Sequence, residues 1–152
     1  MIENTRLPLK ILLADDDKDD RFFFDTVLKG LSIPTTLATV EDGAMLMDYL
    51  HKNTHDLPNA LFLDLNMPKM NGAECLTEIK KSESLKHIPV IIYSTSYHED
   101  VADVLYNHGA HYYIRKTDLT EIEKILKKVL TLLMKKIFDR PLKKDFVLNL
   151  KV

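Results

Sequence analysis

The feature that most constrains this chain is a short apolar run that ends in a single acid. Residues 61–63 (LFL) lead directly into Asp64, and Pro68 follows four residues later. Because proline has no N–H to donate to a strand ladder, the strand has to end before it. Such a run between turn residues is typical of a strand buried on both faces, as in a parallel sheet. Asp64 would then lie where open α/β sheets bind their ligands, although aspartate is also an ordinary turn residue.

Length and composition exclude several classes of protein. A chain of 152 residues is long enough for one domain with a substantial core. The net charge of -2 provides no electrostatic basis for binding nucleic acid or an acidic membrane surface. No apolar run has the length of a membrane span, residues 1–10 lack the layout of a secretory signal, and the single Cys75 cannot form an internal disulfide. We therefore expect a cytoplasmic protein that binds neither nucleic acid nor membrane.

The spacing of apolar residues predicts five strands that alternate with five helices. Helical spacing is clear between Phe23 and Leu31, whereas the fourth helix has only a thin apolar stripe of Val101, Val104 and Leu105. The fifth strand is less uniformly apolar than the others, so we expect it at an edge of the sheet. The predicted strands span residues 9–14, 36–40, 61–63, 89–93 and 110–114, and the helices span 18–31, 44–53, 98–107 and segments that begin near 71 and 118.

This alternation predicts a flavodoxin-like fold, a doubly wound parallel sheet in a single domain. Because crossovers are right-handed, the chain has to reverse direction once to cover both faces, and the strand order 2-1-3-4-5 is a common solution for five strands. The switch point of that order lies between the first and third strands. Asp15 and Asp16, which follow the first strand, are therefore expected beside Asp64.

Three carboxylates that face one another are costly, because like charges raise one another's pKa. A hard divalent cation would offset that repulsion, and Mg²⁺ prefers oxygen ligands. The predicted magnesium ligands are Asp15, Asp16, Asp64 and the backbone carbonyl of Asn66. The alternative explanation of the acidic cluster is a helix N-cap followed by first-turn acids. For Asp17, Asp19 and Asp20 we prefer this alternative, in which they cap the helix or lie in its first turn.

Ser94 and Lys116 follow the fourth and fifth predicted strands. In a parallel sheet both strand ends point to the same edge, so these side chains are expected near Asp64. A hydroxyl and an ammonium beside a metal-bound carboxylate are typical of a phosphoryl-binding site. Taken alone, Ser94 is better explained as a turn serine and Lys116 as a solvated lysine. The coincidence of all these groups at strand ends favours the functional interpretation.

Together the segments that carry these groups resemble the receiver domain of two-component response regulators. The resemblance covers about residues 10–133. The matching segments are LLADD at 12–16, LDLNMP at 63–68 with Gly72, PVIIYS at 89–94 and GAHYYIRK at 109–116.

The resemblance implies that Asp64 accepts a phosphoryl group from a phosphohistidine on a sensor histidine kinase or a histidine phosphotransfer protein. It implies further that Asp15 and Asp16 hold Mg²⁺ with Asp64, and that Ser94 and Lys116 bind the phosphoryl oxygens.

Tyr113 matches the aromatic switch position of the family. The resemblance implies that this side chain turns inward when Ser94 moves toward the phosphoryl group. The face of the fourth helix, fifth strand and fifth helix would then change, and with it the contacts to a downstream protein or to a second copy in a homodimer. Tyr113 is alternatively an ordinary aromatic of an edge strand.

Two residues depart from the family pattern. Thr117 replaces the proline that usually follows the lysine, commonly through a cis bond, and a cis bond to a non-proline residue costs ~2.5–4 kcal/mol. We expect either a trans bond with a rearranged loop or a strained cis bond, so the reach of Lys116 is open. Thr95 is larger than the residue often found after the serine, and we expect it to slow entry of the hydrolytic water.

The expected organisation is a receiver domain over residues 8–135 and a C-terminal tail over 136–152 that is too short to form an output domain. The apolar segment 146–150 is interpreted as a frayed terminus, with packing on the domain or on a second copy as the alternatives.

Two other functions remain open. One is a scaffold with the same fold that acts without phosphorylation. The other is a magnesium-dependent phosphohydrolase that resembles the haloacid dehalogenases, although the second aspartate of such enzymes is replaced here by Asn66. We expect no enzyme beyond self-phosphorylation from small donors and slow self-dephosphorylation.

Overall fold

The computed structural model contains one parallel sheet with helices on both faces. It describes residues 7–117, 119–136 and 138–148. The strands are β1 (Leu9–Ala14), β2 (Thr35–Val40), β3 (Ala60–Leu63), β4 (Val90–Ser94), β5 (Tyr112–Arg115) and β6 (Val147–Leu148). The helices are α1 (Lys18–Gly30), α2 (Gly43–Lys52), α3 (Gly72–Lys81), α4 (Glu99–Asn107) and α5 (Leu119–Met134), with a 3₁₀ turn at Lys143–Asp145. All five strand pairs are parallel, in the order β2-β1-β3-β4-β5-β6. The flavodoxin-like fold and the order of the first five strands are confirmed.

The two faces of the sheet carry separate hydrophobic cores. Alternate residues of a strand point to opposite faces. In β1, Leu12 and Ala14 pack with α2, α3 and α4, whereas Ile11 and Leu13 pack with α1 and α5. Because both faces are covered, the central strands have no polar side, which explains the unbroken apolar run before Asp64. None of the helices in these described ranges is long and apolar enough to cross a bilayer.

The buried stripe of α4 differs from the predicted one. Val101 and Val104 are 41% and 50% exposed, while Ala102 and Leu105 are buried against the sheet. The prediction correctly placed Leu105 in the apolar stripe, but it placed the larger Val101 and Val104 there as well. Ala102 and Leu105 belong to the hydrophobic core on this face of the sheet, so the valines lie on the outer side of the helix.

The predicted frayed terminus is wrong for residues 146–148, which dock on the domain. Val147 and Leu148 form β6, paired with Tyr113 and Ile114 of β5, and Phe146 is 2% exposed. The sheet therefore has six strands, and β5 is not its edge. The reason is that β5 offers a free row of backbone groups, and the tail satisfies it while burying an aromatic ring.

The segment before β6 is held by aromatic and polar contacts. The Tyr106 hydroxyl donates to the carbonyl of Pro141 over 2.8 Å, and the Arg140 guanidinium lies 4.2 Å from the centre of the Tyr106 ring. The imidazole of His111 stacks on Phe138 with 5.1 Å between ring centres. The predicted homodimer through the face of α4, β5 and α5 stays a prediction, and β6 pairs with the edge of β5 on that face. The predicted first residue of the fifth helix, Asp118, and residues 149–152 of the tail lie outside the described residues.

Candidate functional site

The carboxyl end of β1 delivers two acids to the edge of the sheet. The backbone N–H of Asp15 donates to Val40 over 3.1 Å, which continues the ladder one residue past the strand. The Asp15 side chain is fully buried, whereas Asp16 is exposed. Asp17 then caps α1, and its carboxylate accepts from the N–H groups of Asp19 and Asp20. The prediction that Asp17 is a helix cap is confirmed.

Asp64 lies beside Asp15 because β3 pairs with β1. The Asp64 N–H donates to the carbonyl of Ala14 over 2.9 Å, and Asp64 as a whole residue is only 5% exposed. The start of α3 fixes the loop that follows. A Cβ added to Gly72 would lie 2.3 Å from the backbone oxygen of Asp64, so only glycine allows this helix to start so close to the strand end.

The structure brings Asp15, Asp16 and Asp64 together as predicted. One oxygen from each carboxylate lies within 4.8 Å of the others. Burial, with the negative charges of Asp15 and Asp16, raises the pKa of Asp64 to about 6 against the attraction of Lys116. Burial likewise raises the pKa of Asp15. Crowded carboxylate oxygens of this kind are the donor set that a hard divalent cation prefers, so the residues fit such an ion.

Asn66 is exposed in the loop after β3, and its backbone N–H points to Asp64 Oδ1 at 3.5 Å, a long contact for a hydrogen bond. Its side chain cannot supply the second carboxylate of a phosphohydrolase. The predicted metal-binding role of its backbone carbonyl stays a prediction.

Lys116 reaches the acidic cluster from the end of β5. Its Nζ lies 2.7 Å from Asp15 Oδ2, 2.8 Å from Asp20 Oδ2 and 3.9 Å from Asp64 Oδ2. Burial alone would lower the pKa of Lys116, but the hydrogen bonds to Asp15 and Asp20 raise it, so the side chain is an ammonium. The described residues contain no cis peptide bond, so Lys116 is joined to Thr117 in trans. The trans bond does not prevent Lys116 from reaching the site.

Asp20 is the residue that the sequence prediction missed. It was assigned, with Asp17 and Asp19, to the first turn of α1, yet its carboxylate pairs with Lys116. Its place in that turn is compatible with both roles. Nothing in the run DDDKDD separates Asp20 from Asp19, because the distinction depends on which side of α1 faces Lys116.

The hydroxyl of Ser94 is buried at the end of β4. Ser94 Oγ lies 3.3 Å from Ser96 Oγ, and the Ser94 carbonyl accepts from the Lys116 N–H over 2.8 Å. Tyr113 is 1% exposed, and its hydroxyl donates to the carbonyl of Ser96. The Tyr113 ring packs edge-on against Tyr97 with 5.4 Å between ring centres. Tyr113 therefore occupies an inward position and is not an edge-strand aromatic, while its role as a switch stays a prediction.

Comparison with known proteins gives one consistent result. The sequence profile of the response regulator receiver domain matches residues 11–129. The response regulator Rcp1 of Synechocystis sp. is 35% identical over 133 residues, which cover 83% of this chain and 89% of that protein. The chemotaxis protein CheY of Pseudomonas aeruginosa is 30% identical over 126 residues, which cover 80% of this chain and 98% of that protein.

Solved structures agree with these sequence matches. The phosphorylated cyanobacterial phytochrome response regulator RcpA has a TM-score of 0.77 at 33% identity, covering 86% of this chain and 96% of that chain. The Mn²⁺-bound form of the response regulator Rcp1 has a TM-score of 0.76 at 32% identity, covering 89% of this chain and 100% of that chain.

Proposed function

The chain belongs to the response regulator receiver domain family, whose function is to accept a phosphoryl group, and on that premise we propose that Asp64 is the phosphoacceptor. The donor is a phosphohistidine on a sensor histidine kinase or a histidine phosphotransfer protein. The observation that carries the proposal is the meeting of three carboxylates and the Lys116 ammonium at one edge of the sheet. The structure of a phosphorylated response regulator among the similar folds supports it.

The proposed transfer uses a carboxylate oxygen of Asp64 as the nucleophile. That oxygen forms a bond to phosphorus while the bond from phosphorus to the histidine nitrogen breaks, and the imidazole leaves with the bonding pair. With a pKa of about 6, Asp64 is mostly ionised at neutral pH and can attack. The ammonium of Lys116 lies close enough to neutralise charge on the phosphoryl oxygens.

The cation of the site is proposed to be Mg²⁺. Receiver domains bind a divalent metal, and the Mn²⁺-bound Rcp1 is structurally similar to this chain. Asp15, Asp16 and Asp64 would hold the ion, with the backbone carbonyl of Asn66. When bound, the cation supplies positive charge that reduces repulsion between the carboxylates and the incoming phosphoryl group.

The proposed output is a change in protein contacts in the cytoplasm. The aspartyl phosphate adds roughly -1.5 to -2 charge near Ser94, by analogy with other phosphorylated side chains. Ser94 would exchange its contact with Ser96 for a phosphoryl oxygen. Tyr113, whose hydroxyl already binds the Ser96 carbonyl, would transmit that shift to the α4–β5 face. The downstream target is a protein that recognises this face together with the tail strand β6, which pairs with β5 there.

The test is incubation with acetyl phosphate and Mg²⁺. We expect one alkali-labile phosphate per chain, absent in Asp64→Asn, with slow loss of the label and no rapid turnover of phosphate esters. Asp48→Asn, an exposed acid on α2, is the control and should label normally. Rapid turnover would favour a phosphohydrolase, and absence of label with acetyl phosphate and with a phosphorylated histidine kinase would favour a scaffold. Either result would refute the proposal.

A further inference from the structure

The ammonium of Lys116 is held on three sides before any phosphoryl group arrives. Asp15 and Asp20 accept hydrogen bonds from it at 2.7 and 2.8 Å, and the centre of the Tyr93 ring lies 5.1 Å away. The side chain is 9% exposed. A lysine has a long flexible stem, so this amount of fixation is a property of the site and not of the residue itself.

The distance from Lys116 to Asp64 leaves the ammonium free to bind a phosphoryl group on Asp64. Nζ is 3.9 Å from Asp64 Oδ2, which is longer than a hydrogen bond. A phosphoryl group on Asp64 extends outward from the carboxylate, so a cation that binds its oxygens has to lie beyond contact with Asp64 itself. A direct hydrogen bond from Lys116 would instead engage an oxygen that has to attack phosphorus.

The two acids that hold Lys116 are not equivalent. Asp15 is part of the carboxylate cluster with Asp16 and Asp64, so a cation in that cluster competes with Lys116 for it. Asp20 lies outside the cluster, on the first turn of α1. Its backbone is fixed there by the hydrogen bond from its N–H to Asp17 Oδ1 at 3.0 Å. Asp20 can therefore keep its hold on Lys116 when Asp15 is engaged elsewhere.

We propose that Asp20 is a positioning residue for phosphoryl transfer, which holds the Lys116 ammonium close to Asp64 but out of direct contact with it. The inference rests on the proposed role of Asp64 as phosphoacceptor. Asp20 acts through Lys116 and touches no reacting atom. Without the Asp20 carboxylate, the ammonium either moves onto the carboxylates of the cluster or turns toward solvent, and both changes slow the transfer.

The matched pair of variants is Asp20→Asn and Asp19→Asn. Both remove one negative charge from the first turn of α1 and the same favourable interaction with the helix dipole, but Asp19 is exposed. At saturating Mg²⁺ we expect labelling of Asp20→Asn by acetyl phosphate to be about tenfold slower, as for loss of a hydrogen bond between charged groups. Asp19→Asn should stay within roughly twofold of the wild-type rate. Asp20→Glu, which keeps the carboxylate, should recover part of the loss.

Two further measurements separate positioning from a general structural effect. In a Lys116→Met background, Asp20→Asn should slow labelling no further, because its partner is already absent. The hydrogen-bonded ammonium of Lys116 should give a ¹H–¹⁵N signal at neutral pH that is unchanged in Asp19→Asn and is shifted or lost in Asp20→Asn. An additive effect of the two substitutions, or an unchanged ammonium signal in Asp20→Asn, overturns the proposal.

The outcomes distinguish this inference from the function on which it rests. If the wild type is labelled and Asp20→Asn is labelled equally fast, the positioning role alone fails. If the wild type takes no label from acetyl phosphate or from a phosphorylated kinase, the phosphoacceptor role fails, and the positioning role fails with it.

Discussion

Replacing the buried acid at the centre of the site should stabilise the metal-free protein at neutral pH. Asp64 is 5% exposed, and burial is the main reason why its pKa rises to about 6. An ionised Asp64 therefore opposes folding, whereas the neutral amide of Asp64→Asn does not carry that charge. We expect Asp64→Asn to be more stable than the wild type in the presence of EDTA.

The magnitude and its pH dependence follow from the pKa of Asp64. Below about pH 4 the carboxyl group is protonated in both the folded and the unfolded chain, and it costs nothing. Between about pH 4 and about pH 6 the unfolded chain has released the proton while the folded chain keeps it, so wild-type stability falls as pH rises. Above about pH 6 both states are ionised, and the full cost is roughly 3 kcal/mol.

The assay is urea unfolding of both proteins in EDTA, with linear extrapolation of the free energy of unfolding. The amide substitution also changes packing and hydrogen bonding by an amount that does not depend on pH. The measured quantity is therefore the change in the stability difference with pH. We expect the advantage of Asp64→Asn to grow by about 2 kcal/mol between pH 4.5 and pH 7.5. Asp48→Asn, at an exposed acid of α2 that pairs with Lys52, should show little of this trend.

A stability difference that is the same at pH 4.5 and pH 7.5 would refute the reasoning, since the cost would then not come from the charge of Asp64. Addition of Mg²⁺ provides a second check. An ion that binds only the folded chain raises the free energy of unfolding by RT ln(1 + [L]/Kd), where [L] is the free ion concentration. Mg²⁺ should therefore stabilise the wild type far more than Asp64→Asn, which lacks one carboxylate ligand.

Two further predictions concern the tail and the phosphoryl lifetime. Phe146→Ala should lower the free energy of unfolding in urea by about 3 kcal/mol or more, because the ring is 2% exposed, while Leu142→Ala at an exposed position should change it by about 0.5 kcal/mol or less. Equal effects of the two substitutions would contradict the docked tail. Thr95→Ala should shorten the half-life of the aspartyl phosphate, measured by loss of label. Thr95 follows the buried Ser94 at the strand end, and its side chain is expected to slow entry of the hydrolytic water. An unchanged half-life would remove the proposed role of this side chain.

The sheet and most of the site were predictable because both depend on strong local signals. Residues 9–14 form β1 with the bounds that the sequence predicts, and a strand buried on both faces leaves an unbroken apolar run. In a parallel sheet every such run ends at the same edge. Residue types that follow the runs are therefore brought together by topology alone, as Asp64 and Lys116 are.

The tail and the inner face of α4 could not be predicted in the same way. The two residues of β6 carry no strand pattern of their own, and they form a strand because β5 offers an unpaired edge. In α4, two overlapping stripes are compatible with helical spacing, and the sequence favours the one with larger side chains. Burial of Ala102 and exposure of Val101 depend on how the helix packs on the sheet, which local spacing does not determine.

The net charge of the site connects the cost of burying its carboxylates with its function. Asp15, Asp16, Asp20 and Asp64 contribute four acids, and Lys116 is the ammonium among them. The resting site is therefore negative, and burial, together with the neighbouring negative charges of Asp15 and Asp16, raises the pKa of Asp64. A divalent cation and a phosphoryl group would change this balance in opposite directions, so the proposed Mg²⁺ would offset negative charge from the proposed aspartyl phosphate. A site whose charges were already balanced would be more stable, but it would lack the excess negative charge that attracts a divalent cation.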